Sequence, residues 1–230
     1  MKRIMVAAFL LFTFTGVAFA GETQLEKAAN VLQEIMDTPD RDIPHDLLEK
    51  SVCVGIVPSE LKGAFVFGGT YGRGVLVCRR HGDGPWGAPA EFALGGGSFG
   101  LQIGGEATDV VFLVMNEAGA RKLVGDKVKL GADVSAAAGP LGRTAEGATD
   151  AELHAEILSY SRTRGLFAGV SLSGAVFHTD HDANRRLYGR HVNAKDILLR
   201  GDVRVPREAA ELDSELNRYS ARGGRAFAKL

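Results

Sequence analysis

Between Lys62 and Met115 short apolar runs alternate with glycine clusters, and this pattern constrains the fold more than any other feature. The runs are Ala64–Phe67, Gly74–Cys78, Phe92–Leu94, Leu101–Ile103 and Val110–Met115. They are rich in Val, Phe, Leu and Ile and too short for helices, so they read as strands. The clusters Gly68-Gly69, Gly72-Arg73-Gly74 and Gly95-Gly96-Gly97 would each cost a helix about 1 kcal/mol per glycine. In a sheet they supply turns, bulges and close backbone approach. The expectation is a strongly curved, glycine-rich antiparallel sheet.

Residues 1–20 read as a secretory signal peptide: basic Met1-Lys2-Arg3, an apolar run from Ile4 to Val17, and the small-x-small site Ala18-Phe19-Ala20. This predicts export across the inner membrane, most simply to the periplasm. Loss of Lys2 and Arg3 from the 27 basic residues leaves 25 against 28 acids, a net charge of −3. That balance argues against a dedicated nucleic-acid binder. Cys53 and Cys78 are the two cysteines. In an oxidising compartment they form either a disulfide or a pair of buried thiols.

Further along, Thr23-Gln24-Leu25-Glu26 has the form of a capping box, and Leu25, Ala28, Ala29, Leu32, Ile35 and Met36 follow at helical spacing. This helix either packs on the sheet or lies on a membrane surface, and its acidic polar face weakens the second reading. Short helices are expected at 44–50 and 117–124, and strands at 52–57 and 127–138. Residues 151–161 fit helix or strand. Residues 165–177 read as a hairpin or a bent strand, 182–188 and 194–199 as helical, and 207–219 as a C-terminal helix. The predicted organisation is signal peptide 1–20, helical segment 21–50, β-rich core 51–200, C-terminal helix 201–220 and flexible tail 221–230.

Two enzyme motifs overlap in the triple-glycine segment. Gly95-Gly96-Gly97-Ser98-Phe99-Gly100 matches G-x-G-x-x-G, and its last five residues match G-x-S-x-G. Both need a helix directly after the motif, and Leu101-Gln102-Ile103-Gly104-Gly105 is a poor one. A Ser98 hydrolase is therefore a remote alternative, and no catalytic residue is assigned. His178 to Asn184 resembles metal-ligand material, but Arg185 replaces the glycine of a calcium loop and His191 its final glutamate. No metal and no cofactor are expected.

The cations are more informative. Lys62, Arg73, Arg79 and Arg80 lie in a run without acids, as do Arg162 and Arg164. Cations beside glycine-rich turns let phosphate meet both side-chain and main-chain donors. These six residues are the candidate headgroup site.

Four stretches resemble the SYLF-domain family: GAFVFGGTYGRGVLVCR (63–79), FALGGGSFGLQIGGEATDVVFLVMN (92–116), KLGADVSAAAGPLGR (129–143) and EILSYSRTRGLFAGVSLSGAVF (156–177). They cover most of residues 52–188. The resemblance implies phospholipid binding, with phosphoinositides, membrane remodelling and, in fungi, actin attached to eukaryotic members. It implies no enzyme activity. The sequence shows no SH3 or FYVE companion, and export argues against actin as a partner.

The combined expectation is an α+β single domain with a glycine-rich, strongly curved antiparallel sheet and flanking N- and C-terminal helices. Its expected function is non-enzymatic binding of anionic, phosphoinositide-like phospholipid headgroups in the cell envelope. The alternative is an envelope scaffold with a protein partner and no lipid specificity.

Overall fold

The computed structural model describes residues 22–38, 42–58, 69–97, 108–125, 127–141, 154–163 and 166–220. The predicted signal peptide and C-terminal tail lie outside them. So do Lys62, Ser98 and Arg164.

Among the described residues nine strands form one strongly curved sheet. In chain order they are β1 (Cys53–Val57), β2 (Gly69–Cys78), β3 (Ala90–Gly97), β4 (Asp109–Val114), β5 (Val128–Lys129), β6 (Ala136–Ala138), β7 (Ile157–Thr163), β8 (Leu166–Gly169) and β9 (Val176–Thr179). The spatial order is β5-β9-β3-β2-β1-β4-β7-β6, with β8 also on β7. All pairings are antiparallel except β6 with β7. The sheet is therefore mixed, a departure from the all-antiparallel expectation confined to one three-residue strand.

The helices are α1 (Gln24–Met36), α2 (His45–Lys50), α3 (Glu117–Leu123), α4 (His181–Tyr188) and α5 (Ala210–Ser220). The expected capping box is present on α1: Thr23 Oγ1 accepts from the Glu26 amide at 3.2 Å, and the Glu26 carboxylate accepts from the Thr23 amide at 2.7 Å. Asn116 caps α3 and Asp180 caps α4 through their side-chain oxygens. α1 packs its apolar face on the sheet together with α5, consistent with the first of its two readings. No helix among the described residues is long and apolar enough to cross a membrane.

Both faces of the central strands are buried. On one face, α1, α2 and α5 cover Val54, Ile56, Val75, Val77, Val111 and Leu113. On the other, Phe92, Phe112 and Phe177 form an aromatic cluster with Leu76, Leu123, Ile197 and Leu198 around it. Phe112 stands opposite Gly55 in the β1–β4 ladder, and a Cβ on Gly55 would overlap its ring. Here glycine is required for packing space rather than for a turn.

Cys53 and Cys78 are direct cross-strand partners in β1 and β2 and are joined by a disulfide, with Cα atoms 4.0 Å apart. The structure thus resolves the choice between disulfide and paired thiols.

Two assignments change. Residues 127–138 form two short strands separated by a turn, closed by Gly131 N–H donating to the Val134 carbonyl at 2.7 Å. Residues 166–179 are not a hairpin: β8 pairs with β7, and β9 pairs with β3 and β5. Alternation identifies a strand but not its partner.

Candidate functional site: one end of the sheet

The C-terminal ends of β1, β3 and β7 and the N-terminal ends of β2, β4 and β8 lie at one edge of the curved sheet. The register shows this directly, with Val57 opposite Val110, Asp109 opposite Arg162, Thr163 opposite Leu166, and Gly69 opposite Gly97. The strand ends bounding the connections 58–68, 98–107 and 164–165 are all here. Lys62 and Arg164 belong to two of these connections, about a hundred residues apart in sequence. The two large apolar side chains most exposed among the described residues also belong to this end: Tyr71 at 52% and Leu166 at 67%. An exposed aromatic and an exposed leucine at one end of the sheet are an apolar feature suited to an interface.

Arg162 sits at the rim of this end. Its guanidinium donates to Asp109 through Nε at 2.9 Å and Nη2 at 2.6 Å, and also pairs with Glu34 of α1. Burial disfavours its charge, but the hydrogen bonds to Asp109 and Glu34 outweigh that and raise its pKa further. Arg162 thus ties α1 to the sheet and is only partly open to a ligand.

Arg73 lies in mid-strand β2. Its Nη2 meets Glu91 at 3.4 Å and Asp180 at 3.0 Å, while its Nε makes no hydrogen bond. Burial pushes the Glu91 carboxyl up, nearby Asp180 adds to this, and Arg73 opposes it. Asn184, fully buried, donates to the carbonyls of Glu91 and Asp180 and accepts from the Glu91 amide, which fixes α4 against β3. Asp182 pairs with Arg185. The residues that looked like metal ligands are thereby accounted for as a helix cap, an ion pair and an amide clamp.

Arg79 and Arg80 lie at the opposite end. Arg79 is only 3% exposed. It donates to the carbonyls of Ser51 (3.1 Å), Gly84 (3.4 Å) and Ser220 (2.7 Å), and its guanidinium lies 4.0 Å from the centroid of Trp86. Trp86 Nε1 donates to Ser220 Oγ at 3.2 Å. Arg79 is thus a structural cation that fastens the end of α5 to the sheet. Arg80 packs against Gly201 and opposes the burial-driven rise of the Asp213 pKa. The sheet accordingly does not bring the four described cations, Arg73, Arg79, Arg80 and Arg162, to one place. Gly95 to Gly97 pair in the ladder with Tyr71, Thr70 and Gly69, a strand rather than the tight turn of a dinucleotide fingerprint.

Sequence reasoning overlooked Arg190, Arg204 and Arg207. They line an open groove of about 370 Å³ whose lining contains no carboxylate. The available signal was the density of arginine from 185 to 207, against which Asp196 and Asp202 are the only acids.

The architecture is that of an α+β single domain on a strongly curved mixed sheet. The chain belongs to the Ysc84 family, whose model, described as Las17-binding protein actin regulator, matches residues 95–219. It is 37% identical to Protein YSC84 of Saccharomyces cerevisiae over 199 residues, covering 83% of this chain and 42% of the yeast protein. It is 38% identical to LAS seventeen-binding protein 3 of the same yeast over 194 residues, covering 80% of this chain and 41% of that one. With the human SH3 domain-containing YSC84-like protein 1 it shares 33% identity over 218 residues, covering 90% of this chain and 63% of the human one. The chain thus spans less than half the length of these yeast relatives. The name of LAS seventeen-binding protein 3 is that of a binding protein, and the family description is that of an actin regulator. They correct the expectation that sets actin aside: that inference rested on compartment, whereas the actin-regulator description belongs to a model matching residues of this domain itself.

Proposed function

We propose that this chain is a non-enzymatic binding module that engages anionic phospholipid surfaces through the sheet end carrying Tyr71 and Leu166. One observation carries the reading: Tyr71 and Leu166, the most exposed large apolar side chains among the described residues, lie at a single end of the sheet. Tyr71 and Leu166 would enter the headgroup region while the cations meet phosphate. Arg73 and Arg162 contribute less, because each is held between two carboxylates. The buried disulfide is in keeping with export to an oxidising compartment, as the residue pattern of 1–20 suggests.

The test is co-sedimentation with vesicles of graded anionic content at low and high salt. Binding should rise with anionic lipid and fall with salt. At about 1 kcal/mol per cation near the surface, Lys62→Ala with Arg164→Ala should weaken it about thirtyfold. Tyr71→Ala with Leu166→Ala should weaken it at every salt concentration. Absence of binding at all compositions, or full binding by both double variants, refutes the assignment.

A second reading rests on the family description: engagement of a protein partner of the actin-regulatory class. It predicts co-sedimentation with actin filaments or capture of an actin regulator, with no dependence on lipid charge.

A further inference from the structure

At the end of the sheet remote from Tyr71 and Leu166, α4 stops at Gly189 and the helical turn Asp196–Arg200 stops at Gly201, both glycines being left-handed, with φ of 66° and 68°. The chain then runs through Asp202 to Pro206 before α5. Between these segments lies the groove lined by Arg190, Arg204 and Arg207, with Leu187, Val205 and Pro206 as apolar wall. All three arginines are exposed. None takes part in an ion pair among the described residues, whereas Arg185, Arg200 and Arg218 each have a carboxylate partner. The acids of the adjoining recess are Asp196 and Asp202, and Asp196 is held by Arg200 at 2.8 Å.

The main chain beside the arginines is also unspent. None of the backbone groups of residues 202–205 enters the turn, cap or strand hydrogen bonds of the described residues. Val205 precedes a proline, which holds it extended, and Pro206 itself is extended. The chain bends at Val203, and the short extended stretch that follows it, outside the sheet, is a template for pairing with another strand.

We infer that this groove is a docking site for an extended acidic peptide segment of a protein partner, in which carboxylates alternate with aliphatic side chains. The carboxylates would meet Arg190, Arg204 and Arg207. The peptide backbone would pair with the main chain at Arg204 and Val205, and the aliphatic side chains would lie on Leu187, Val205 and Pro206. A lipid headgroup would use the arginines alone and leave both the backbone and the aliphatic wall unmatched. The peptide is favoured because it matches all three.

The experiment is fluorescence anisotropy of the full chain with a labelled peptide alternating glutamate and valine. Glutamine in place of glutamate gives the uncharged comparator. Inorganic phosphate and anionic vesicles serve as competitors. The acidic peptide should bind, with affinity falling as salt rises. Arg204→Ala with Arg207→Ala should weaken it at least about tenfold, from the loss of charge-assisted hydrogen bonds. Lys50→Ala with Arg121→Ala makes the same change in net charge and should have no such effect. Arg190→Gln provides an independent variant and should weaken binding several-fold. Because all five side chains are exposed, an unchanged melting curve will confirm folding. Equal affinity of the two double variants, equal binding of the glutamine peptide, or no peptide binding overturns the inference. A loss confined to vesicles assigns the groove to a membrane instead. Failure at the Tyr71 and Leu166 end leaves this result untouched, since neither variant set alters that end.

Discussion

Replacing Arg79 by methionine tests whether this cation fastens the fold or meets a ligand. Methionine keeps an unbranched apolar stem but is shorter and offers no donor. Two short contacts, to Ser51 at 3.1 Å and Ser220 at 2.7 Å, are lost, together with a longer one to Gly84 at 3.4 Å. Hydrogen bonds from a charged donor contribute about 1.5–3 kcal/mol each. The cation–π contact with Trp86 adds about 1 kcal/mol. Against this, methionine avoids the desolvation of a guanidinium that is 3% exposed, a relief of several kcal/mol. The net loss should be about 2–4 kcal/mol, a fall in melting temperature of roughly 5–15 °C for a domain of this size. Urea unfolding followed by Trp86, the single tryptophan, measures it directly. Hydrogen exchange should show the last turn of α5 losing protection first, because Ser220 is the residue released. Lysine at this position should restore only part of the loss, since it lacks the planar fork that reaches three carbonyls. Vesicle binding of the folded variant should equal that of the parent. A variant within about 0.5 kcal/mol of the parent and with intact α5 protection would refute the structural role.

Three further outcomes follow from the packing and the charges. Gly55→Ala, whose methyl would overlap the Phe112 ring, should cost about 1–3 kcal/mol in chemical denaturation, and Phe112→Leu in the same chain should recover part of it. Replacing both Cys53 and Cys78 by alanine should lower stability by about 3.5 kcal/mol, the loop-entropy value for a sequence separation of 25; a loss below about 1 kcal/mol would show that the β1–β2 pairing already restrains the unfolded chain. Glu91 has a folded pKa above its ordinary 4.5, so its contribution favours the fold when protonated and is lost as pH rises through that higher pKa. Glu91→Gln should therefore gain stability relative to the parent as pH is raised from about 4 towards neutrality, and a gap moving the other way contradicts burial as the dominant cause.

Much of this fold is legible locally. The capping box of α1 satisfies its own amides within four residues, so Thr23 and Glu26 announce it without tertiary help. The glycine clusters correctly mark a sheet rather than helices. What local pattern lacks is partnership. Residues 166–169 and 176–179 both read as strands, yet they belong to opposite wings of the sheet. The parallel pairing of Ala136 to Ala138 with β7 has no local signature at all. The same limit applies to the candidate site. Arg79 stands in an acid-free run, but its partners are carbonyls at Ser51 and Ser220, contributed by segments remote in sequence. Arg73 and Arg162 acquire carboxylates from other elements in the same way. Arg204 and Arg207 escaped notice because they flank Pro206, one in a stretch with no periodicity and the other at the start of the C-terminal helix.

The strand order also bears on how the chain is made. β1, the earliest strand among the described residues, lies at the centre of the sheet, with β2 and β3 added on one side and β4 on the other. The ribosome therefore delivers a four-stranded middle first, and its outer edges, β3 and β4, stay open until β7 and β9 emerge more than forty residues after β4 ends. During that interval Phe92 and Phe112 lack Phe177, their third aromatic neighbour, and two hydrogen-bonding edges face outward together. The nascent chain passes through a stage suited to pairing with other chains, and its C-terminal third acts as the seal that ends it.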